Sequence, residues 1–153
     1  MRSGWKNLRV AVWISGTGSN LGAILEGLDF VDVSLVLCNR KKAQGLLKAK
    51  RAGVETLLIN KTSSWEEIHK VHVDRGIDRI FLAGFMKIVP PEFIQLWEGK
   101  MFNVHPSFLP EYPGLKSIER AFEDQVDAGV TIHKVIPEVD AGEIVLQERV
   151  KRK

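Results

Sequence analysis

The sequence predicts an α/β fold, a doubly wound and mostly parallel sheet of about seven strands with antiparallel strands at its C-terminal end. Three observations predict it. Short apolar runs alternate repeatedly with helix-patterned segments, the rhythm of parallel strands joined by right-handed crossovers. The first run, Leu8–Ser15, is apolar almost throughout, as a strand covered on both faces must be. The last two strand-like runs stand close together and read as antiparallel neighbours.

Each element has a local reason. After Leu8–Ser15 comes a turn, Gly16–Asn20, in which Asn20 is suited to cap a helix carrying Leu21, Ile24, Leu25 and Leu28 at helical spacing. Val31–Cys38 is the second strand, Ala43–Ala52 a helix stopped by Gly53, and Val54–Ile59 the third strand. Ser63 with Glu66, or Ser64 with Glu67, forms a capping box for a helix running toward Arg75, where Gly76 ends it. Ile80–Ala83 is the fourth strand. Pro90 and Pro91 open a helix that turns Phe93, Leu96 and Trp97 inward and ends near Gly99. Met101–Val104 is the fifth strand, Leu115–Asp124 a helix, and Val130–Val135 and Ile144–Val150 the closing strands.

A chain of 153 residues, 44% hydrophobic and 27% charged, suits one domain with a substantial core. A net charge of +3 favours anionic small molecules and is too small to argue for nucleic acid. The single cysteine, Cys38, excludes an internal disulfide and a cysteine metal cluster, and reads as a buried thiol. No apolar stretch is long enough to cross a bilayer, and Met1–Arg9 lacks the apolar centre of a signal peptide. A cytoplasmic location is expected.

In such a sheet, ligands sit beyond the carboxyl ends of the strands, which points to Gly16–Asn20, Gly84–Pro90 and Asn103–Gly114. Gly16, Thr17, Gly18, Ser19 and Asn20 lead into a helix N-terminus, where free N–H groups and the helix dipole favour an anion. No Gly-Lys-Ser/Thr follows, and Leu21 stands where a dinucleotide fingerprint needs its third glycine. A single phosphate monoester suits the loop; a tight capped turn would give the same residues. Asn103 and His105, at i and i+2 of a strand, point to one side. Together they suit stabilisation of a carbonyl oxygen gaining charge, and His105 suits proton transfer, although a structural histidine also fits. Pro106, Pro110 and Pro113 stiffen the following segment. Asp140, between the last strands, is either a carboxylate partner for His105 or a turn residue. His69 and His72 share a helix face that reads as solvated rather than metal-binding, and His133 sits mid-strand, in the core or behind a site. No metal site is expected, and no serine-hydrolase elbow is present.

Four segments carry a resemblance: Ile14–Leu21 (ISGTGSNL), Leu82–Val89 (LAGFMKIV), Phe102–Leu115 (FNVHPSFLPEYPGL) and Gly129–Gln147 (GVTIHKVIPEVDAGEIVLQ). In order and spacing they resemble the folate-dependent formyltransferase family, in its glycinamide ribonucleotide branch, over almost the whole chain. The resemblance implies a Rossmann-like formyltransferase fold. It implies 10-formyltetrahydrofolate as co-substrate and formyl donor, the glycinamide amine as acceptor, and no metal. It matches Asn103, His105 and Asp140 to the catalytic trio, and the Gly16–Asn20 loop, with Gly84 and Pro106, to the phosphorylated substrate. Met86, Lys87, Ile88, Val89, Leu109, Val135, Ile136, Glu138 and Val139 match the folate pocket. The family usually has arginine where Lys87 stands, so a planar bidentate donor is lost there. The partners implied are small molecules, neither nucleic acid nor membrane.

Family members continue past the position of Lys153 into a further loop and helix. Residues 1–153 therefore read as a single formyltransferase domain lacking that helix, with an apolar patch that self-association would cover as a homo-oligomer. Three other readings are weighed against transfer to the glycinamide amine. A formyltransferase acting on initiator tRNA would need a nucleic-acid-binding extension. A hydrolase of the same formyl donor tends to carry a second histidine where Pro106 stands, and a non-catalytic folate- or phosphate-binding module would turn over nothing.

Overall fold

The computed structural model describes residues 8–27, 31–105, 120, 128–137 and 142–150. They form one seven-stranded sheet. The strands are β1 (Leu8–Ile14), β2 (Val31–Cys38), β3 (Glu55–Leu58), β4 (Arg79–Leu82), β5 (Met101–His105), β6 (Ala128–Lys134) and β7 (Ile144–Val150). Their order across the sheet is β3-β2-β1-β4-β5-β6-β7. The first five pair in parallel, and β5·β6 and β6·β7 are antiparallel. This is the doubly wound sheet with antiparallel closing strands expected above.

Strand β1 is central, and Val10 through Ile14 are all 0% exposed. Alternation sends Ala11 and Trp13 into one layer and Val10, Val12 and Ile14 into the other. The first layer is covered by α3 (Trp65–Asp74) and α4 (Pro91–Leu96) through Ile68, Phe93, Ile94 and Trp97. The second is covered by α1 (Ser19–Gly27) and α2 (Gln44–Arg51) through Leu21, Ile24, Leu46 and Ala49. The thiol of Cys38 is buried in this second layer.

Capping follows the expected chemistry at α3, where the Ser64 hydroxyl accepts from the Glu67 N–H. Gly53 and Gly76 end α2 and α3 with φ of 73° and 67°, conformations that glycine adopts without a Cβ penalty. Three expectations need correction. Helix α1 begins at Ser19, with its first bond from Gly22 N–H to the Gly18 carbonyl (2.8 Å), so Asn20 lies inside the first turn instead of capping it. Leu96 is 59% exposed, because in a helix of only six residues Phe93, Ile94 and Trp97 fill the inward face. The helix expected over Leu115–Asp124 lies, apart from Arg120, outside the described residues.

The third correction concerns His69 and His72, which do not lie on a solvated face. His72 is 0% exposed. Its Nε2 accepts from the Trp13 indole N–H at 2.9 Å, and its Nδ1 donates to the Ile68 carbonyl at 2.7 Å. His69 accepts likewise from the Trp97 indole at 3.0 Å. A buried indole N–H needs an acceptor, and the imidazoles supply it while stacking edge-on in the aromatic layer. Burial pushes the His72 pKa down to about 4, against the smaller opposing pull of its Ile68 hydrogen bond. Among the described residues, no helix is long and apolar enough to cross a membrane.

The depressed His72 pKa has a definite sign. Neutral His72 is the folded form, so its contribution is complete above pH 6.5 and is lost as the pH falls toward about 4. Urea unfolding followed by tryptophan fluorescence should show wild type losing about 3 kcal/mol more than His72→Gln over that window. Carboxylates such as Glu55, held low by its hydrogen bonds to Arg75, titrate equally in both proteins. An equal loss in the two proteins would refute this origin.

Candidate active site

The residue after β1 ties three strand exits together. Ser15 is buried, its hydroxyl donates to Asn39 Oδ1 (2.5 Å) beyond β2, and it accepts the Met86 N–H (2.8 Å) beyond β4. Between these exits lies a cleft of about 230 Å³, lined by Ser15, Gly16, Thr17, Gly18, Ser19, Asn20, Arg40, Ala83, Gly84 and Met86. The glycine loop and Gly84 thus meet as expected. The loop is held from behind by α2, whose Gly45 N–H donates to the Gly16 carbonyl at 3.1 Å. Gly18 has φ of 74°, and a Cβ there would stand 2.7 Å from the Gly45 Cα, so both the turn and the packing demand glycine. The N–H groups at the start of α1 open toward this cleft, the arrangement that binds an anion.

Arg40 is the residue that sequence reading missed here. Among the described residues its guanidinium has no hydrogen bond or ion pair, and it lines the cleft two positions past β2. Applying the carboxyl-end rule to β2 as well as β1 would have found it. A larger open groove of about 690 Å³ runs between α1 and α2 past Glu26, Lys48 and Arg51, on the outer surface away from the strand exits.

The second part of the site lies along β5. Asn103 is the third residue of the strand, paired with Leu82 of β4 on one side and His133 of β6 on the other. It therefore stands within the sheet, in the strand expected over Met101–Val104. Its Nδ2 lies 3.3 Å from the buried His133 Nε2. His105 pairs with Thr131, which is buried and accepts from Gln147 Nε2 at 3.1 Å. In antiparallel strands, directly opposed residues share a face, so Asn103, His133, Thr131 and Gln147 form a polar band across β5, β6 and β7. The same face is apolar over β1, β2 and β4.

The third part is the segment after β4. Gly84 turns the chain with φ of 78°. Met86 is exposed, Ile88 is 84% exposed, and Lys87 Nζ lies 5.8 Å from the Trp65 ring centre. Val89 is buried in the layer that Val135 also touches. The Val135 N–H donates to the Met101 carbonyl (2.9 Å), so residues 135–137 leave the sheet where β5 enters it, at the end opposite the glycine loop. The side chain of His105, and Pro106, Leu109, Glu138, Val139 and Asp140, lie outside what is described. Among the described residues, no three His, Cys, Asp or Glu side chains are grouped to hold a metal ion.

A family model described as formyl transferase matches residues 8–152. Phosphoribosylglycinamide formyltransferase of Haemophilus influenzae is 38% identical over 93% of this chain and 72% of its own length. The human trifunctional purine biosynthetic protein adenosine-3 is 42% identical over 95% of this chain, which spans 15% of that protein. Among solved structures, phosphoribosylglycinamide formyltransferase from Anaplasma phagocytophilum superposes with a TM-score of 0.87 at 41% identity, covering 97% of this chain and 74% of that one. Glycinamide ribonucleotide transformylase 1 from Geobacillus kaustophilus gives 0.84 at 34% identity, covering 96% and 84%.

The packing of the glycine loop is directly testable. Gly18→Ala should cost about 1–3 kcal/mol of stability, since it forces a side chain into a left-handed turn and against backbone. Thermal or urea unfolding measures it; a variant as stable as wild type would show the loop to be looser than described.

Proposed function

This chain belongs to the formyl transferase family, and on that premise we propose that it moves the formyl group of 10-formyltetrahydrofolate to the amine of glycinamide ribonucleotide, a step of purine synthesis. The observation that carries this reading is the Asn103 amide, held within the sheet at 3.3 Å from a buried imidazole, in a chain matching the family from residue 8 to 152. A hydrogen-bond donor fixed before substrate arrives is what stabilisation of a developing oxyanion requires.

The donor supplies a formyl carbon attached to a nitrogen that can leave. Exposed Met86 and Ile88, on either side of the Lys87 that lies over Trp65, offer apolar side chains to a folate ring. Val89 is buried in the apolar layer against which Val135 packs, and Ile136 is exposed. Leu109, Glu138 and Val139 complete this folate assignment. The acceptor's phosphate suits the loop from Gly16 to Asn20 with Gly84 beside it, and the resemblance adds Pro106 to this assignment. Arg40 adds a positive charge at the cleft mouth.

The bond made joins the acceptor nitrogen to the formyl carbon; the bond broken joins that carbon to the folate nitrogen. One proton passes from the attacking amine to the leaving nitrogen. Asn103 donates to the formyl oxygen as it gains charge, His105 donates beside it, and Asp140 supports the imidazolium and orders a water that carries the proton. Holding both reactants in one cleft removes the entropic cost of their meeting.

An assay with the formyl donor alone, and then with glycinamide ribonucleotide added, tests the proposal. Product should require both; loss of donor formyl without acceptor would mean a hydrolase, and no turnover in either arm a binding module. Asn103→Ala should lower kcat roughly 10²- to 10³-fold. Arg40→Ala should raise KM for the phosphorylated acceptor about tenfold while kcat holds, the pattern of a lost charge contact made equally before and during reaction.

A further inference from the structure

The proposed reaction makes no use of one buried polar group beside the site, the His133 imidazole. It is 3% exposed, on β6, directly opposite Asn103. Its Nδ1 lies 3.1 Å from the Lys134 backbone carbonyl, and a carbonyl only accepts. Nδ1 therefore holds the hydrogen. In the neutral ring Nε2 is then bare, and the Asn103 group facing it at 3.3 Å must be its NH2. One amide hydrogen of Asn103 is thereby spent on His133, and the other is the one left for a ligand. With the opposite amide orientation Asn103 would set its oxygen against the bare Nε2 as two acceptors, so the pair selects one of two rotamers.

The surrounding backbone guards this arrangement. Ile132 pairs with Leu146 and His133 with Ile144, which leaves Val145 as an extra residue in β7. Such a bulge re-aims the neighbouring side chains, and bulges recur beside active sites. The Lys134 N–H donates to the Glu143 carbonyl at 2.8 Å. A Cβ on Gly142 would fall onto the Lys134 carbonyl oxygen, the very acceptor that sets the His133 tautomer. Glycine at 142 is what lets that carbonyl stay in place.

We propose that His133 is a positioning residue for formyl transfer: it fixes the orientation of the Asn103 amide so that the free N–H faces the formyl oxygen. This rests on the reading of Asn103 as the oxyanion donor. In this reading His133 does not touch the reacting atoms and bears on the reaction through the Asn103 amide.

The test is a double-mutant cycle of His133→Leu and Asn103→Ala, with kcat and both KM values measured and folding checked by thermal unfolding. H133L should lower kcat roughly 10²-fold, the cost of a misplaced catalytic group, with both KM values within about twofold of wild type. In the N103A background H133L should cost nothing further. H133Q, whose amide oxygen reaches the place of Nε2, should recover most of kcat, and H133N, which reaches only the place of Nδ1, should not. If H133L does not fold, the contrast between H133Q and H133N carries the test. Equal losses from H133L in the wild-type and N103A backgrounds would overturn the inference, as would equal activity of the Gln and Asn variants. An N103A enzyme with full kcat would instead sink the reading of Asn103 itself.

Discussion

The complete burial of β1 is the constraint on which the rest of the molecule depends. Five successive residues with no exposed surface require covering layers on both sides of the sheet, and parallel strands joined by helical crossovers provide them. Trp13 makes this demanding. Among the described residues it is the largest fully buried side chain, and it meets Trp65 and Phe93 in tilted contacts and Phe85 edge-on, so the α3/α4 layer is shaped around one ring. Its indole N–H then obliges a histidine to be buried with it, which places a group of lowered pKa in the core. At the next residue but one the strand stops being apolar, and Ser15 spends both its donor and its acceptor on the neighbouring exits. The glycine loop inherits its position from that clamp.

The change from parallel to antiparallel pairing at β5 explains where polar chemistry is possible. A strand deep in the parallel half has apolar neighbours on each side, and a polar side chain there would go unpaired. At the β5·β6 junction the facing residues are Asn103 with His133 and His105 with Thr131, so polar residues stand opposite polar residues. Gln147 extends this to β7 through Thr131. The buried members of this band, His133 and Thr131, thus have polar groups opposite them, and a hydrogen bond in such low-dielectric surroundings is strengthened.

Most of the fold is legible in the sequence because it is written in local signals. The run Val31–Cys38 is recovered with the same ends, Ser64 caps α3, and Gly53 and Gly76 stop their helices. What fails depends on tertiary neighbours. His69 and His72 look solvated by helical spacing alone, since nothing local says that Trp13 and Trp97 need acceptors. Leu96 reads as inward because a short helix leaves too few turns to decide its phase. Of the site, Gly16–Asn20 and Gly84 are legible from the carboxyl-end rule and do share a cleft. Ser15 is not, because its value lies in contacts between strand exits distant in sequence, whereas Arg40 follows from the same rule once it is applied to β2. Asn103 is legible as a site residue on the fifth strand, and β5 runs one residue further than Val104, to His105.

The two halves of the site are built differently, and the difference matches what each must do. The side proposed to hold the phosphate consists of backbone N–H groups, closely packed Gly18 and Gly45, and an arginine at the rim. Such a surface holds a charge of fixed shape without needing a particular side-chain rotamer. The β5 side depends on the rotamer of one amide, and a primary amide has two nearly isosteric orientations of opposite polarity. Choosing between them needs a neighbour whose own hydrogen is already assigned. The Lys134 carbonyl assigns it to His133, and His133 passes the choice to Asn103. The order of constraint runs from backbone to imidazole to amide, from the most rigid group to the one nearest the ligand. A site built that way meets charge without reorganising, and this is why the polar partner sits inside the sheet instead of on a loop.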